Sequence, residues 1–132
     1  MDMKLQRKLY KRFPKLFVQR KLPCSQTCLC WGLECGNGWF NIINGLCHNL
    51  EGIGADIEFS QIKEKFGTLR VYYDNNEEYD TSDVDGLIDY AERASELTCE
   101  YCGSMVGVTQ TKGWIVTLCP KHLAEYKERN NK

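Results

Sequence analysis

The chain has 132 residues and a mass of 15.3 kDa, which is the size of one ordinary domain able to remove roughly two thirds of its unfolded surface from water. Apolar residues at 42% and charged residues at 27% exclude a disordered, collagen-like or coiled-coil chain. The formal net charge of −1 hides a segregation: residues 1–23 carry eight Lys/Arg against Asp2 alone, and residues 74–100 carry ten Asp/Glu against Arg93 alone. The basic end suits nucleic acid or an acidic partner, and it equally suits the chain's own acidic segment.

No apolar run approaches the ~20 residues that cross a bilayer, and no apolar signal core follows the basic start. The expectation is a soluble, cytoplasmic protein with no membrane partner. In chain order, Leu5, Leu9 and Phe13 recur every four residues before Pro14 and predict a short helix over 3–13 with its basic side in water. With so narrow a stripe, this basic arm is expected to be dispensable for folding. Residues 14–35 show no period. Asn37 is predicted to cap a helix whose inward stripe is Trp39, Ile42, Ile43, Leu46 and Leu50, ending at Gly52. From Ile57 to Tyr73 the period becomes two, with Leu69, Val71 and Tyr73 on one face, Arg70 and Tyr72 on the other, and Gly67 at the turn of a hairpin.

After a polar loop over 75–80, Ser82 with Asp85 resembles a capping box. It opens a helix with the stripe Val84, Leu87, Ile88, Ala91 and Ala94, ending near Thr98. Residues 105–118 read as a second, smaller hairpin around Lys112-Gly113, and Pro120 suits the first turn of a last helix over 120–129. The predicted fold class is α+β: small antiparallel hairpins packed on helices, with a C-terminal treble-clef-like zinc module. It is read as a single domain over 1–132, with a basic arm (1–23), an α+β core (34–98) and a zinc module (99–130).

Eight cysteines are many for a reduced intracellular chain, so metal is the first explanation. Cys99-Glu-Tyr-Cys102-Gly places two thiolates at a spacing that binds one ion, and Cys119-Pro-Lys-His122 repeats the spacing with an imidazole as fourth ligand. Together they make Cys₃His, a closed tetrahedral set of the structural kind, calling for one Zn²⁺ per chain. The alternative, a redox-active Cys99/Cys102 pair, would want a strand before it and a helix after it. Treble-clef nucleases add catalytic histidines in the hairpin, whereas Ser104–Leu118 contains none and His48 is the only other histidine.

Cys24, Cys28, Cys30 and Cys35 are spaced irregularly, which leaves open a second metal site or ordinary thiols. Cys47 and His48 are neighbours on a helix, about 100° apart, and cannot readily act as a pair. Lys63, Lys65 and Arg70 gather near the first hairpin turn, with Tyr72 sharing the Arg70 face, and form the candidate binding patch for an anionic or planar partner. The competing reading pairs Arg70 with Glu64 or Glu58 across the hairpin.

Several motifs occur together: Glu34-Cys-Gly-Asn-Gly-Trp39, the segment Gln61–Tyr73, the stretch from Ala91-Glu92 to Ser95 leading into Cys99-Glu-Tyr-Cys102-Gly103, Gly113-Trp114 and Leu118-Cys-Pro-Lys-His122. This combination, covering residues 34–122, resembles a family of small uncharacterised zinc-knuckle proteins of phages, prophages and bacteria. Asn37 stands where the family more often has an acidic residue, and the Cys24/Cys28/Cys30 cluster lies outside the pattern. The resemblance implies an accessory binding protein in the host cytoplasm that engages a host protein, including a defence protein. The leading expectation is therefore a non-enzymatic, zinc-stabilised binder of a host protein or small anionic ligand. Its rival is nucleic-acid binding through the basic N-terminus and the treble clef, against which the acidic 74–100 segment counts. An enzyme is disfavoured for want of a recognisable nucleophile, base and oxyanion set.

Overall fold

The computed structural model describes residues 1–131. Helix α1 (Met3–Arg12) is followed by two short 3₁₀ turns (Val18–Lys21, Leu29–Trp31), the two-residue strand β1 (Leu33–Glu34), a 3₁₀ turn (Asn37–Trp39) and helix α2 (Phe40–Gly52). The long hairpin β2 (Ile57–Lys65) and β3 (Thr68–Asn75) leads into α3 (Ser82–Ser95), and the chain ends with β4 (Thr109–Gln110), β5 (Thr117–Leu118) and α4 (Pro120–Asn130). The architecture is α+β: a three-stranded sheet in the order β1-β2-β3, with β1 parallel to β2, and a separate antiparallel β4-β5 hairpin.

The sheet faces its core through Leu33, Ile57, Phe59, Ile62, Leu69 and Val71, all buried. A register shift between Phe59 and Gln61 makes this possible. Side chains alternate along a strand, so the extra residue transfers the inward position from Gln61 to Ile62. The same apolar cluster takes Ile43, Leu46 and Leu50 from α2 and Val84, Ile88 and Ala91 from α3; Ile42, Leu87 and Tyr73 are only partly buried. Helix α3 runs beside the open edge of β3, where Ser95 Oγ accepts the Leu69 N–H at 2.8 Å and Glu92 Oε2 accepts the Val71 N–H at 3.0 Å. The edge donors are thus satisfied by a helix rather than by another strand.

Three expectations are corrected. The basic arm is not an appendage: Leu9, Tyr10, Phe13, Leu16 and Phe17 are buried, and the Phe17 ring lies 5.0 Å from that of Phe59. Buried Gln6 binds the arm to β1, its Oε1 accepting the Leu33 N–H at 3.1 Å, while Leu16 O accepts the Phe59 N–H at 2.8 Å. The helical period caught Leu9 and Phe13, but Leu16 and Phe17 follow Pro14 outside any period. Asn37 caps nothing; its Oδ1 accepts the Asp2 N–H at 2.8 Å, and the helix it precedes begins three residues later. The Ser82 capping box does not form either, because Asp80 Oδ1 takes both the Ser82 N–H and hydroxyl, at 3.0 and 2.7 Å.

Candidate metal centre

The four predicted ligands come together from three pieces of local structure. Cys99 and Cys102 flank a tight turn in which Cys99 O accepts the Gly103 N–H at 2.9 Å and Ser104 O accepts the Cys99 N–H at 2.8 Å. The β4-β5 hairpin then returns the chain, and β5 delivers Cys119 to the start of α4, where Pro120 occupies the first turn without leaving an N–H unsatisfied. One helical turn later His122 projects beside Cys119. This turn, hairpin and helix follow the order of a treble clef.

The ligand atoms of Cys99, Cys102, Cys119 and His122 all lie within 4.8 Å of one another. His122 Nδ1 is 3.6 Å from Cys99 Sγ and 3.3 Å from Cys119 Sγ, and Cys102 Sγ is 3.8 Å from Cys119 Sγ. An ion bound tetrahedrally at about 2.3 Å from sulfur and 2.0–2.1 Å from nitrogen has edges of about 3.8 Å between sulfurs and about 3.5–3.6 Å between sulfur and nitrogen. The cluster therefore fits a tetrahedral metal ion. The His122 backbone N–H, directed at the Cys119 sulfur from the start of α4, draws that thiol down to about 6, which favours the ligating thiolate. On the far side of the imidazole, Glu125 Oε2 lies 4.0 Å from Nε2, and the Tyr101 ring meets the imidazole edge-on at 5.5 Å.

The module is bolted to the rest of the fold by the first of the sequence motifs. Gly38 N–H donates to Glu100 O at 2.7 Å, Gly36 N–H donates to Glu100 Oε2 at 2.9 Å, and the Trp39 ring N–H donates to Thr98 O at 3.0 Å. A Cβ on Gly38 would lie 2.1 Å from Cys99 O, so no larger residue can sit there without displacing the cysteine turn. The motif over 34–39 and the cysteine turn are thus two halves of one contact. Spacing along the sequence gives no sign of it.

The remaining cysteines resolve differently. Cys24 and Cys30 form a disulfide, Cys28 is exposed, and Cys35 and Cys47 are buried. Burial pushes the Cys35 thiol up to about 12 and raises that of Cys47 as well. Among the described residues the only cluster suited to a metal is the C-terminal one. Cys47 is buried while His48 is exposed, so the two do face apart.

Strand register places the four residues of the candidate patch on one face. Lys63 lies opposite Arg70, Gln61 opposite Tyr72, and Lys65 opposite Thr68, which puts Lys63, Lys65, Arg70 and Tyr72 on the sheet face away from the core. Arg70 pairs with neither glutamate: Glu58 lies opposite Asp74, and Glu64 lies opposite Leu69 with its carboxylate accepting the Gly67 N–H at 2.7 Å. The Arg70 Nε is buried and has no hydrogen-bond partner, beside a shallow cavity bordered by Asp89, Glu92 and Glu96. No helix of the described residues is long and apolar enough to cross a membrane. Comparison with protein-family models, with curated proteins and with solved structures finds no match to this chain.

Proposed function

We propose that this chain is a zinc-stabilised binding protein rather than an enzyme, engaging a protein partner or a small anionic ligand through the outer face of the β2-β3 hairpin. Zinc is favoured over other metals because three thiolates and an imidazole in a tetrahedron suit it, and four protein ligands leave no open position for a reacting water. One observation carries the binding assignment: Lys63 and Arg70 face each other beside Tyr72, and Arg70 makes no ion pair among the described residues. Like charges opposed across a hairpin are unfavourable unless something anionic meets them, and the neighbouring Asp89, Glu92 and Glu96 border Arg70 without forming an ion pair with it. The resemblance to phage and prophage proteins makes a host protein, including a defence protein, the favoured partner.

Elemental analysis tests the metal, with one zinc per chain expected. Capture of a host protein by the wild type, and its loss in Lys63→Glu/Arg70→Glu with melting temperature unchanged, tests the surface. Unchanged capture by that double variant would make the patch ordinary surface. Retardation of nucleic acid that weakens steeply with salt would favour the rival nucleic-acid reading instead.

A further inference from the structure

The tips of the two hairpins meet, and they carry two large exposed aromatic rings. The β2-β3 turn is two residues long, Phe66-Gly67, with φ of +55° and +78°. Positive φ at both positions is what a type I′ turn requires, and Asn, Asp and Gly meet that requirement with least strain. Phe66 is the only residue other than glycine with positive φ among the described residues, and its ring is 65% exposed. A bulky aromatic in the left-handed region costs the fold stability, and a ring turned to water returns little of it.

The second tip is as unexpected. Gly113 turns the β4-β5 hairpin and presents Trp114, 80% exposed, the most exposed large hydrophobic residue described. Between the tips runs an open groove of about 260 Å³ lined by Glu64, Lys65, Phe66, Gly113, Trp114 and Ile115. The first tip is fixed to the second hairpin: the Thr117 hydroxyl of β5 donates to Gly67 O at 2.6 Å, and a Cβ on Gly67 would fall 2.8 Å from Ile115. The groove is therefore held in shape before any partner arrives, and the strand that supports its second wall runs directly into Cys119.

The groove has Lys65 and Glu64 in its lining. Lys65 Nζ lies 5.5 Å from the Phe66 ring centroid, Lys112 precedes Gly113 in the other turn, and the one carboxylate of the lining, Glu64, is engaged by the Gly67 N–H. Two aromatic walls, with Lys65 in the lining, Lys112 next to Gly113 in the sequence and the Glu64 carboxylate turned to the Gly67 N–H, match an apolar side chain flanked by carboxylates. Binding energy at protein interfaces concentrates in such aromatic anchors. Unpaired nucleic acid also stacks on aromatic rings, yet its affinity rests on neutralising many phosphates, and two lysines on a chain of net charge −1 supply little of that. Small-molecule sites enclose most of their ligand, whereas the two residues walling this groove stand largely in water, Phe66 65% and Trp114 80% exposed.

We infer that the groove between Phe66 and Trp114 is a docking site for a polypeptide segment in which a large apolar residue is flanked by Asp or Glu. This rests on the reading of the chain as a binding protein and adds to it the chemistry of the partner and a site reaching beyond the sheet face, with Lys65 common to both. It also gives Phe66 a reason to occupy a turn position that Asn would fill with less strain.

The test selects a displayed library of random dodecapeptides on the full chain and measures the enriched peptides by fluorescence anisotropy. A (dT)₁₂ oligonucleotide is measured in parallel. The expected result is enrichment of an aromatic or large aliphatic residue between acidic ones, with Kd raised at least about tenfold by Trp114→Ala and by Phe66→Asn. Phe66→Asn is expected at the same time to raise the melting temperature by roughly 2–5 °C, a gain of stability with a loss of binding that a merely structural Phe66 would not give. Failure to enrich acidic-apolar peptides overturns the inference, as does equal binding by both variants or oligonucleotide binding lost in the same variants. Peptides sensitive only to Lys63→Glu/Arg70→Glu would overturn the groove and leave the sheet-face reading standing. Sensitivity only to Phe66→Asn and Trp114→Ala would do the reverse.

Discussion

The two parts of this chain are held together by different physics. The α+β part buries one continuous apolar cluster that runs from Leu9 on α1 to Ala91 on α3 and includes Trp39, Phe17 and Phe59 with no exposed surface. The apolar cluster of the C-terminal part has four buried members, Cys99, Val116, Leu118 and Cys119, two of them candidate metal ligands, and α4 buries no residue fully. A core that small cannot offset the entropy of ordering about thirty residues, which costs ~1–2 kcal/mol each for the backbone alone. A metal ion held by the Cys99, Cys102, Cys119 and His122 cluster would compensate, together with hydrogen bonds taken from the larger part at Gly38, Trp39 and Gly67. The lesson is that the same chain uses apolar burial where its sequence is long and periodic, and carries a cluster suited to coordination where it is not.

Removing the metal should break the comparison most sharply. In Cys102→Ser, or after chelation, residues 99–130 are expected to lose their ordered amide NMR signals while those of α2 and β2 persist, since metal ligation in zinc-finger peptides is worth ~10–16 kcal/mol. Collapse of both sets together would show that the α+β part depends on the metal as well. On the other side of the comparison, Phe17→Ala should cost about 3–5 kcal/mol in urea unfolding, because the ring is fully buried between Tyr10 and Phe59. Removing residues 1–20 should abolish cooperative unfolding altogether. A truncated chain that still unfolds cooperatively would mean that the arm's burial is incidental.

Gly38→Ala probes the contact between the two parts. With Cys99 O 2.1 Å from the new methyl, the cysteine turn must move, and a loss of roughly 1–3 kcal/mol is expected together with weaker metal retention against a chelator. Ser95→Ala should cost about 1–3 kcal/mol without touching the metal, because it leaves the Leu69 N–H at the sheet edge without a partner. The smallest effect is kinetic. In the native, metal-loaded chain iodoacetamide should modify exposed Cys28 first, leaving Cys35 and Cys47 unmodified until unfolding, since burial both shields them and keeps them protonated. Early modification of Cys47 would indicate that the α2 core opens far more readily than its burial implies.

Much of this fold was legible because its signals are local. The stripes of α2 and α3, the alternation of β3, the Gly67 turn and the proline that opens α4 each express a periodicity or a turn requirement within a dozen residues. The metal site was legible for the same reason, since each half is a two-residue spacing and only the joining of the halves is long-range. Ser82 and Asn37 misled because a capping residue is defined by where its side chain turns, and in both cases another acceptor or donor was nearer. Leu16 and Phe17 were overlooked because residues that reach the core from 3₁₀ turns and irregular backbone carry no period to detect.

The sequence by itself determined the composition of the metal cluster, the order of helices and hairpins, and the face on which Lys63, Arg70 and Tyr72 lie. Tertiary structure alone decided that Gln6 holds Leu33, that Glu100 receives Gly36 and Gly38, that Cys24 joins Cys30 rather than another thiol, and that Phe66 and Trp114 line one groove. The physical reason is degeneracy. Many donors, acceptors and thiols along the chain could satisfy one another, and the choice among them is made only when the burial of the whole apolar cluster fixes which surfaces meet.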